Sequence, residues 1–386
     1  MRVLVVRPGP HFSVADVCRG WVKGLKKCGA DVVDFNLDDR LNLFASTYVK
    51  HKKRYRRAFD ADSAVRLAVQ SLETALYEFW PDVVLVVSGF YVHAEILNLI
   101  RSRGHKTVLL CTESPYEDDR QLKKAPFYDM VLLNDPTNID KFREVNPNTH
   151  YVPHAYDPDI HKPASKPDPE MRSDFFFCGT GYPSRVAFFD HMNLDGIDVK
   201  FGGNWQGLDE ASPLLKHLVH PQEWCLDNEE ATEFYQNTKA SINIYRKESE
   251  RPELEQGWSM GPREVELAAT GTFFLRDPRP ESDEVLGTLP SFSSPAEASD
   301  QLRWWLGHEG ERNKVTLSHE KQSLTEPSSA TLDVYSNDSR LKEPQSWQDY
   351  TVEPADFTPA SVVQERQNPL RSCLVGLRTS RPMMST

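Results

Sequence analysis

The sequence predicts an α/β protein made of two successive domains, each a doubly wound parallel sheet of the Rossmann-like class. Three observations predict it. Short runs such as Arg2–Arg7 (RVLVVR) and Asp82–Val87 (DVVLVV) are almost wholly apolar and β-branched, as in strands buried on both faces. Longer segments with helical spacing separate these runs, so strands and helices alternate. A proline-rich, weakly apolar stretch over residues 156–172 (YDPDIHKPASKPDPEMR) then divides one alternating series from a second.

The first series covers residues 1–155. Arg2–Arg7 is a strand ended by Pro8-Gly9-Pro10. Asp16–Cys28 is helical, and Gly29 stops it. Asp31–Phe35 is the second strand. Asp62–Phe79 is a long amphipathic helix closed by Trp80-Pro81, before the strand at Asp82–Val87. Ala94–Arg103 is a helix ended by Gly104. Thr107–Cys111, Met130–Leu133 and Tyr151–Pro153 are strands four to six. Residues 156–172 read as a hinge. The second series covers residues 173–312. Its expected strands are Asp174–Cys178, Val199–Phe201, Ala240–Ile244 and 272–275, with a weaker one at Leu289–Phe292. Its expected helices lie at Arg185–His191, Asn228–Asn237, 262–269 and 295–307. Asn313–Thr386 is polar, rich in Ser, Thr, Pro and Gln, and without clear periodicity, so it reads as an unstructured tail.

Composition narrows the function. The formal net charge of −12 argues against a nucleic-acid groove as the main surface and leaves room for a local basic pocket. The dense basic run Lys50–Arg57 (KHKKRYRR) is either a solvated face or a contact for a polyanion or lipid headgroups. The six cysteines, Cys18, Cys28, Cys111, Cys178, Cys225 and Cys373, form no CxxC pair and no Cys/His ligand cluster. No signal peptide precedes the first strand, and no apolar run nears the ~20 residues of a membrane span. These features predict a cytoplasmic protein with reduced thiols.

Ligands of doubly wound sheets bind beyond the carboxyl ends of the strands, so the candidates lie in the loops there. Gly9 to Ser13 follows the first strand with residues small enough to admit a diphosphate or an acceptor. Glu113, in CTESPYEDD, follows the fourth strand as a general base or a helix cap. His93 and His154 are either proton-transfer groups or structural histidines. Gly179 and Gly181 stand in a loop between a strand and a helix, where Arg185 can reach a phosphate; an ordinary turn is the other reading. Arg246 ends the SINIYR strand. Arg263 opens a helix, where a cation opposes the helix dipole and a ligand phosphate would remove the conflict. Trp205 and Trp258 are either core residues or a platform for a base.

One segment goes further. In Gly257–Leu306, an Arg, two residues, a Glu, then Leu-Ala-Ala-x-Gly, a hydrophobic strand and an Asp occur in that order. This pattern resembles the nucleotide-sugar half of GT-B glycosyltransferases of the group 1 type, in their CgeB-like branch. The order of DVVLVVSG, CTESPYEDD, YVPHAYDP, FFFCGTGYPSR, VKFGGNW, SINIYR and PREVELAATG extends the likeness from about residue 1 to about residue 312. The resemblance implies two domains facing a central cleft, with donor binding by the second and most of the acceptor site on the first. It implies a ribose-binding role for Glu266, which suits a carboxylate near a helix N-terminus that attracts phosphate. Glu266 matches the second glutamate of the family's E-x7-E pattern; the first position is Trp258, so the pattern is incomplete. The implied chemistry is transfer from a nucleoside-diphosphate sugar to a hydroxyl, with no cofactor and no metal. A protein or glycan acceptor is favoured, in a bacterial cell or a phage-infected host. The alternatives are a nucleotide-sugar epimerase of the same architecture and a non-catalytic remnant that binds the donor. The tail adds an oddity. Ser323–Asn337, read two bases along with permitted codons, spells PDRAFERNARRLLQ, which resembles the closing helix of that family and predicts a change of reading frame near residues 312–318.

Overall fold

The computed structural model describes residues 1–9, 14–51, 61–222, 224–248 and 257–323. The expectations placed on Pro10–Ser13, on most of Lys50–Arg57 and on residues 324–386 lie outside these residues. The chain separates into two compact units, one over Met1–Pro153 and one beginning at His154.

The first unit runs β1 (Arg2–Val6), α1 (Ala15–Lys27), β2 (Asp31–Phe35), α2 (Leu37–His51), α3 (Ala61–Phe79), β3 (Val83–Val87), α4 (Ala94–Ser102), β4 (Lys106–Cys111), α5 (Asp118–Leu122), β5 (Met130–Leu133), α6 (Ile139–Val145) and β6 (Thr149–Tyr151). The strands form one parallel sheet in the order β2-β1-β3-β4-β5-β6. The unbroken apolar runs now have their reason. Leu4, Val6, Val84 and Val86 enter one core layer, while Val3, Val5, Val83, Leu85 and Val87 enter the other. Side chains alternate across a strand, so a sheet covered on both faces needs apolar residues at every position. Helix α2 was not foreseen. It buries Leu37 and Leu41 and packs Phe44 on the same core, between polar residues that blur its period.

The second unit runs β7 (Ser173–Cys178), α7 (Pro183–Asp190), β8 (Val199–Gly202), α8 (Asn228–Asn237), β9 (Thr238–Asn243), α9 (Pro262–Thr270), β10 (Phe274–Arg276), α10 (Pro280–Val285), α11 (Pro295–Gly307) and α12 (Glu309–Ser323). Its parallel sheet has the order β10-β9-β7-β8. Read from its first strand, this is the order of the first four strands of the other unit. Aromatic packing fills the core: Phe175, Phe177, Phe189, Phe201 and Trp205 meet mostly edge to face. Local signals place the helices. Asp227 and Glu230 form a reciprocal capping box on α8, Ser294 caps α11, and Gly271 ends α9 in the left-handed region.

Three expectations are corrected. Leu289–Phe292 forms no strand; Ser291 makes a single bridge to Arg276, and the acidic loop before it contains α10. The Pro-rich segment is not a free linker. His161 is buried, Lys162 accepts a hydrogen bond from Gln236 Nε2 at 2.6 Å, and the Asp168 amide donates to Asn237 Oδ1 at 2.6 Å, all within the second unit. The tail boundary at residue 313 falls inside α12. Arg312 donates to the carbonyls of Trp305 and Leu306 in the last turn of α11, and Val315 packs on the core. A helix end capped by an arginine needs little apolar periodicity, which is why the polar composition misled.

Candidate functional site

The sheet order reverses beside the first strand of each unit, which puts the crevice of a doubly wound sheet at the carboxyl ends of β7 and β9 in the second unit. Three elements converge there. The loop after β7 holds Gly179 and Gly181, whose amides donate to the carbonyls of Gly202 and Asn204 at 3.0 and 2.7 Å. The end of β9 supplies Asn243. The first turns of α9 supply Arg263 and Glu266.

Arg263 is half-buried and braced. Its Nε donates to the Cys178 carbonyl at 2.9 Å and its Nη1 to Asn243 Oδ1 at 2.9 Å, with the guanidinium 4.6 Å above the Phe177 ring. A side chain at Gly179 would collide with Nη2, so the arginine lies along the glycine loop. Asn243 is almost wholly buried, and its Nδ2 has no acceptor among the described residues. Glu266 follows one turn later with 18% of its side chain exposed. Its Oε1 accepts from Asn228 Nδ2 at 3.4 Å and faces His161 Nε2 at 3.8 Å. Burial pushes the neighbouring Cys178 thiol up to about 12, so it stays protonated. Burial likewise raises the Tyr235 phenol, whose hydroxyl meets the Cys178 backbone.

Glu264, next to Arg263 in the chain, points into the core. It is fully buried, accepts from the Tyr245 hydroxyl, from the Gly261 amide at 2.9 Å and from Ser282 Oγ at 2.8 Å, and closes the N-terminus of α9. Burial still raises its pKa against these bonds.

Arg185 departs from its expected place. It is buried, with Nε and Nη2 on the Ile244 carbonyl at 3.1 and 2.8 Å and Nη1 on the Thr180 carbonyl at 3.1 Å. The Ser184 amide at the start of α7 donates to Glu248 Oε1 at 2.7 Å, so a protein carboxylate already occupies the position where a phosphate was expected. Arg185 therefore fastens the glycine loop to the end of β9. Arg246 lies 5.8 Å from the centre of the Tyr182 ring, and Arg185 lies 5.1 Å from the same ring. Trp205 is core: it is fully buried and donates Nε1 to the Gly202 carbonyl at 2.8 Å.

In the first unit, Gly9 ends the β1 turn at φ +119°, with its amide on Asp38 Oδ1 at 2.9 Å. A Cβ there would stand 2.5 Å from the Tyr91 ring, so only glycine fits. His93 stands at the N-cap position of α4 with an extended backbone and no side-chain capping bond, and its buried Nε2 has no partner among the described residues. Glu113 lies in the turn between β4 and α5, and its carbonyl accepts from the Glu117 amide. His154 is the first residue of the second unit. A cavity of about 420 Å³ opens beside α1, lined among others by Arg7, Cys18, Arg19, Lys23, Asp34 and Asp38; none of the foreseen site residues lines it. Asn243, Asn228 and His161 were not foreseen, because nothing in their local sequence marks them.

Comparison with known proteins bears on the fold. Residues 185–331 match the glycosyl transferase-like family, a span that begins within α7, runs through α12 and includes Arg263 and Glu266. No curated protein matches the sequence. Among solved structures, the E. coli trehalose-6-phosphate protein bound with UDP-2-fluoro glucose superposes with a TM-score of 0.54 at 12% identity, over 99% of this chain and 100% of that one. Sucrose-phosphate synthase from Thermosynechococcus elongatus gives 0.55 at 9% identity, over 87% and 98%. A putative UDP-N-acetylglucosamine 2-epimerase from Listeria monocytogenes gives 0.51 at 11% identity, over 82% and 90%. At these identities the likeness shows the fold: two α/β units of the GT-B glycosyltransferase type. No helix among the described residues is long and apolar enough to cross a membrane.

Proposed function

We propose that the protein is a glycosyltransferase that moves a sugar from a nucleoside-diphosphate sugar to an acceptor hydroxyl without a metal ion. One observation carries the reading. Arg263 and Glu266 stand on successive turns of α9, at the carboxyl ends of β7 and β9, beside a loop held close by glycine. A guanidinium there neutralises a diphosphate, and a partly exposed carboxylate accepts from a ribose diol. The unpaired Asn243 Nδ2 is a further donor for an anionic oxygen.

Transfer divides into steps that these groups can serve. Arg263 holds the diphosphate and offsets the charge that grows on it as the bond to the sugar lengthens. Glu266 fixes the nucleoside. The acceptor hydroxyl loses its proton to a base, for which Glu113, His93 and His154 are the candidates, or to the leaving phosphate itself. Arg185 positions the loop and does not touch the donor.

A nucleotide-sugar epimerase is the second reading, since a putative epimerase from Listeria monocytogenes shares this fold. A thermal-shift screen with uridine, adenosine and guanosine diphosphate sugars identifies the donor. A bound donor at ~100 Kd adds about 2.7 kcal/mol of stability. The stabilising donor is then incubated with and without glycan and protein acceptors, with and without chelator. Transfer that persists in EDTA supports the proposal. A donor epimerised in the absence of acceptor moves the assignment to the epimerase. No stabilisation by any nucleotide sugar refutes both.

A further inference from the structure

We infer that His161 is a positioning residue for Glu266, holding the carboxylate for a ribose diol through an Nε2–H donor. This inference rests on reading α9 as the nucleoside-binding helix. His161 lies in the Pro-rich segment, far in sequence from α9, and is 3% exposed. Its ring turns back on its own turn. The Asp157 amide donates to Nδ1 at 3.0 Å, while the His161 amide donates to the Asp157 carbonyl at 2.7 Å. A nitrogen that accepts from an amide carries no proton, so the proton of the neutral ring sits on Nε2.

That Nε2 is buried and makes no hydrogen bond among the described residues. It faces Glu266 Oε1 at 3.8 Å, which is beyond hydrogen-bond length. An unsatisfied buried donor is costly, so its persistence at this place asks for a purpose. Asn228 Nδ2, from the first turn of α8, reaches the same oxygen at 3.4 Å. Two donors from separate elements thus converge on Oε1, and Oε2 is left to accept from a ligand. When a diol engages Oε2, the small shift that closes the His161 gap satisfies the orphan donor. The dyad links the nucleoside's hydroxyls to a group held entirely by its own turn.

The test is a cycle between protein and ligand. Affinities for a nucleoside diphosphate and its 2′,3′-dideoxy analogue are measured for wild type, His161→Phe, His161→Gln and Glu266→Gln, with uridine, adenosine and guanosine diphosphates in turn. Wild type should prefer the full ribose. His161→Phe should shrink that preference by about fivefold, the weight of one hydrogen bond, while binding the dideoxy analogue as wild type does. His161→Gln, which keeps a donor, should recover part of it. Equal losses for both ligands would mean a merely structural histidine and overturn the inference. So would an unchanged preference in His161→Phe when Glu266→Gln abolishes it. If Glu266→Gln also leaves the preference intact, or wild type binds no nucleoside diphosphate, the reading of α9 itself fails and the inference with it. Should His161→Phe not fold, ¹⁵N-histidine spectra of the full chain decide: an Nε2–H tautomer whose signal moves on adding the diphosphate supports the dyad, and an Nδ1–H tautomer overturns it.

Discussion

Gly203→Ala is the sharpest test of the packing that shapes the glycine loop. Gly203 follows β8 at φ +98°, a conformation that costs an alanine about 1–2 kcal/mol. An added Cβ would overlap the Gly179 carbonyl oxygen and stand 2.6 Å from that residue's nitrogen and carbonyl carbon. No side chain can rotate away, because both partners are backbone, and the Gly179 amide is tied to the Gly202 carbonyl at 3.0 Å. Overpacking of this kind adds about 1–3 kcal/mol. The total is then about 2–5 kcal/mol, which for a unit of this size lowers its Tm by roughly 5–15 °C. Gly207→Ala is the control, since a Cβ there meets nothing within 4 Å, and its effect should stay within about 0.5 kcal/mol. Thermal unfolding followed by circular dichroism measures both. The variant should also bind nucleoside diphosphate more weakly, because Gly179 lies against Arg263. A Gly203→Ala protein that melts within about 2 °C of Gly207→Ala would refute the loop packing described above.

Glu266→Gln should raise the Kd for the donor about 10- to 150-fold, the weight of a charged hydrogen bond, and leave the melting temperature alone, since the carboxylate makes only long contacts within the protein. Isothermal titration checks the affinity and calorimetry the stability. Arg185→Met should cost about 2–4 kcal/mol of stability, because the buried Ile244 carbonyl and the part-buried Thr180 carbonyl lose charged donors; a stable variant that loses only turnover would return Arg185 to the donor site. Asp118 gives a pH signature. Burial raises its carboxyl to about 6, above its unfolded value of 3.8, so the native state binds more protons and stability falls as pH rises from about 4 through 6. The loss is roughly 3 kcal/mol. Asp118→Asn should flatten that slope and stabilise the protein at pH 7 in urea titrations. An unchanged slope would place the titrating group elsewhere.

Much of the fold was legible because its signals are local. A strand buried on both faces must be apolar throughout, so β3 announces itself. Helix α11 begins at Ser294 and Pro295 because a cap and an N-terminal proline are needed in adjacent positions. What was missed leaves no periodic trace or depends on partners distant in sequence. Helix α12 is docked by Arg312 on α11 carbonyls only six and seven residues back, and no period of apolar residues records that bond. The Pro-rich segment reads as a linker by composition, yet Gln236 and Asn237 at the end of α8 fasten it down.

The two arginines of the second unit show where a sequence reading of a site stops. Arg185 and Arg263 both follow a proline at the start of a helix; the glycine loop recommends the first for a phosphate and the helix dipole the second. The difference lies in what waits opposite. The Ile244 carbonyl, at the end of β9, takes two donors from Arg185 and draws it into the core, while Glu248 supplies the anion that the start of α7 needs. Arg263 meets one carbonyl and one amide oxygen, and stays half-buried beside a carboxylate still open to a ligand. A helix start attracts an anion in either case; whether that anion is a side chain or a ligand is decided by a residue many positions away. Glu266 was legible because its motif lies within one helix. His161, about a hundred residues earlier and facing it at 3.8 Å, was not.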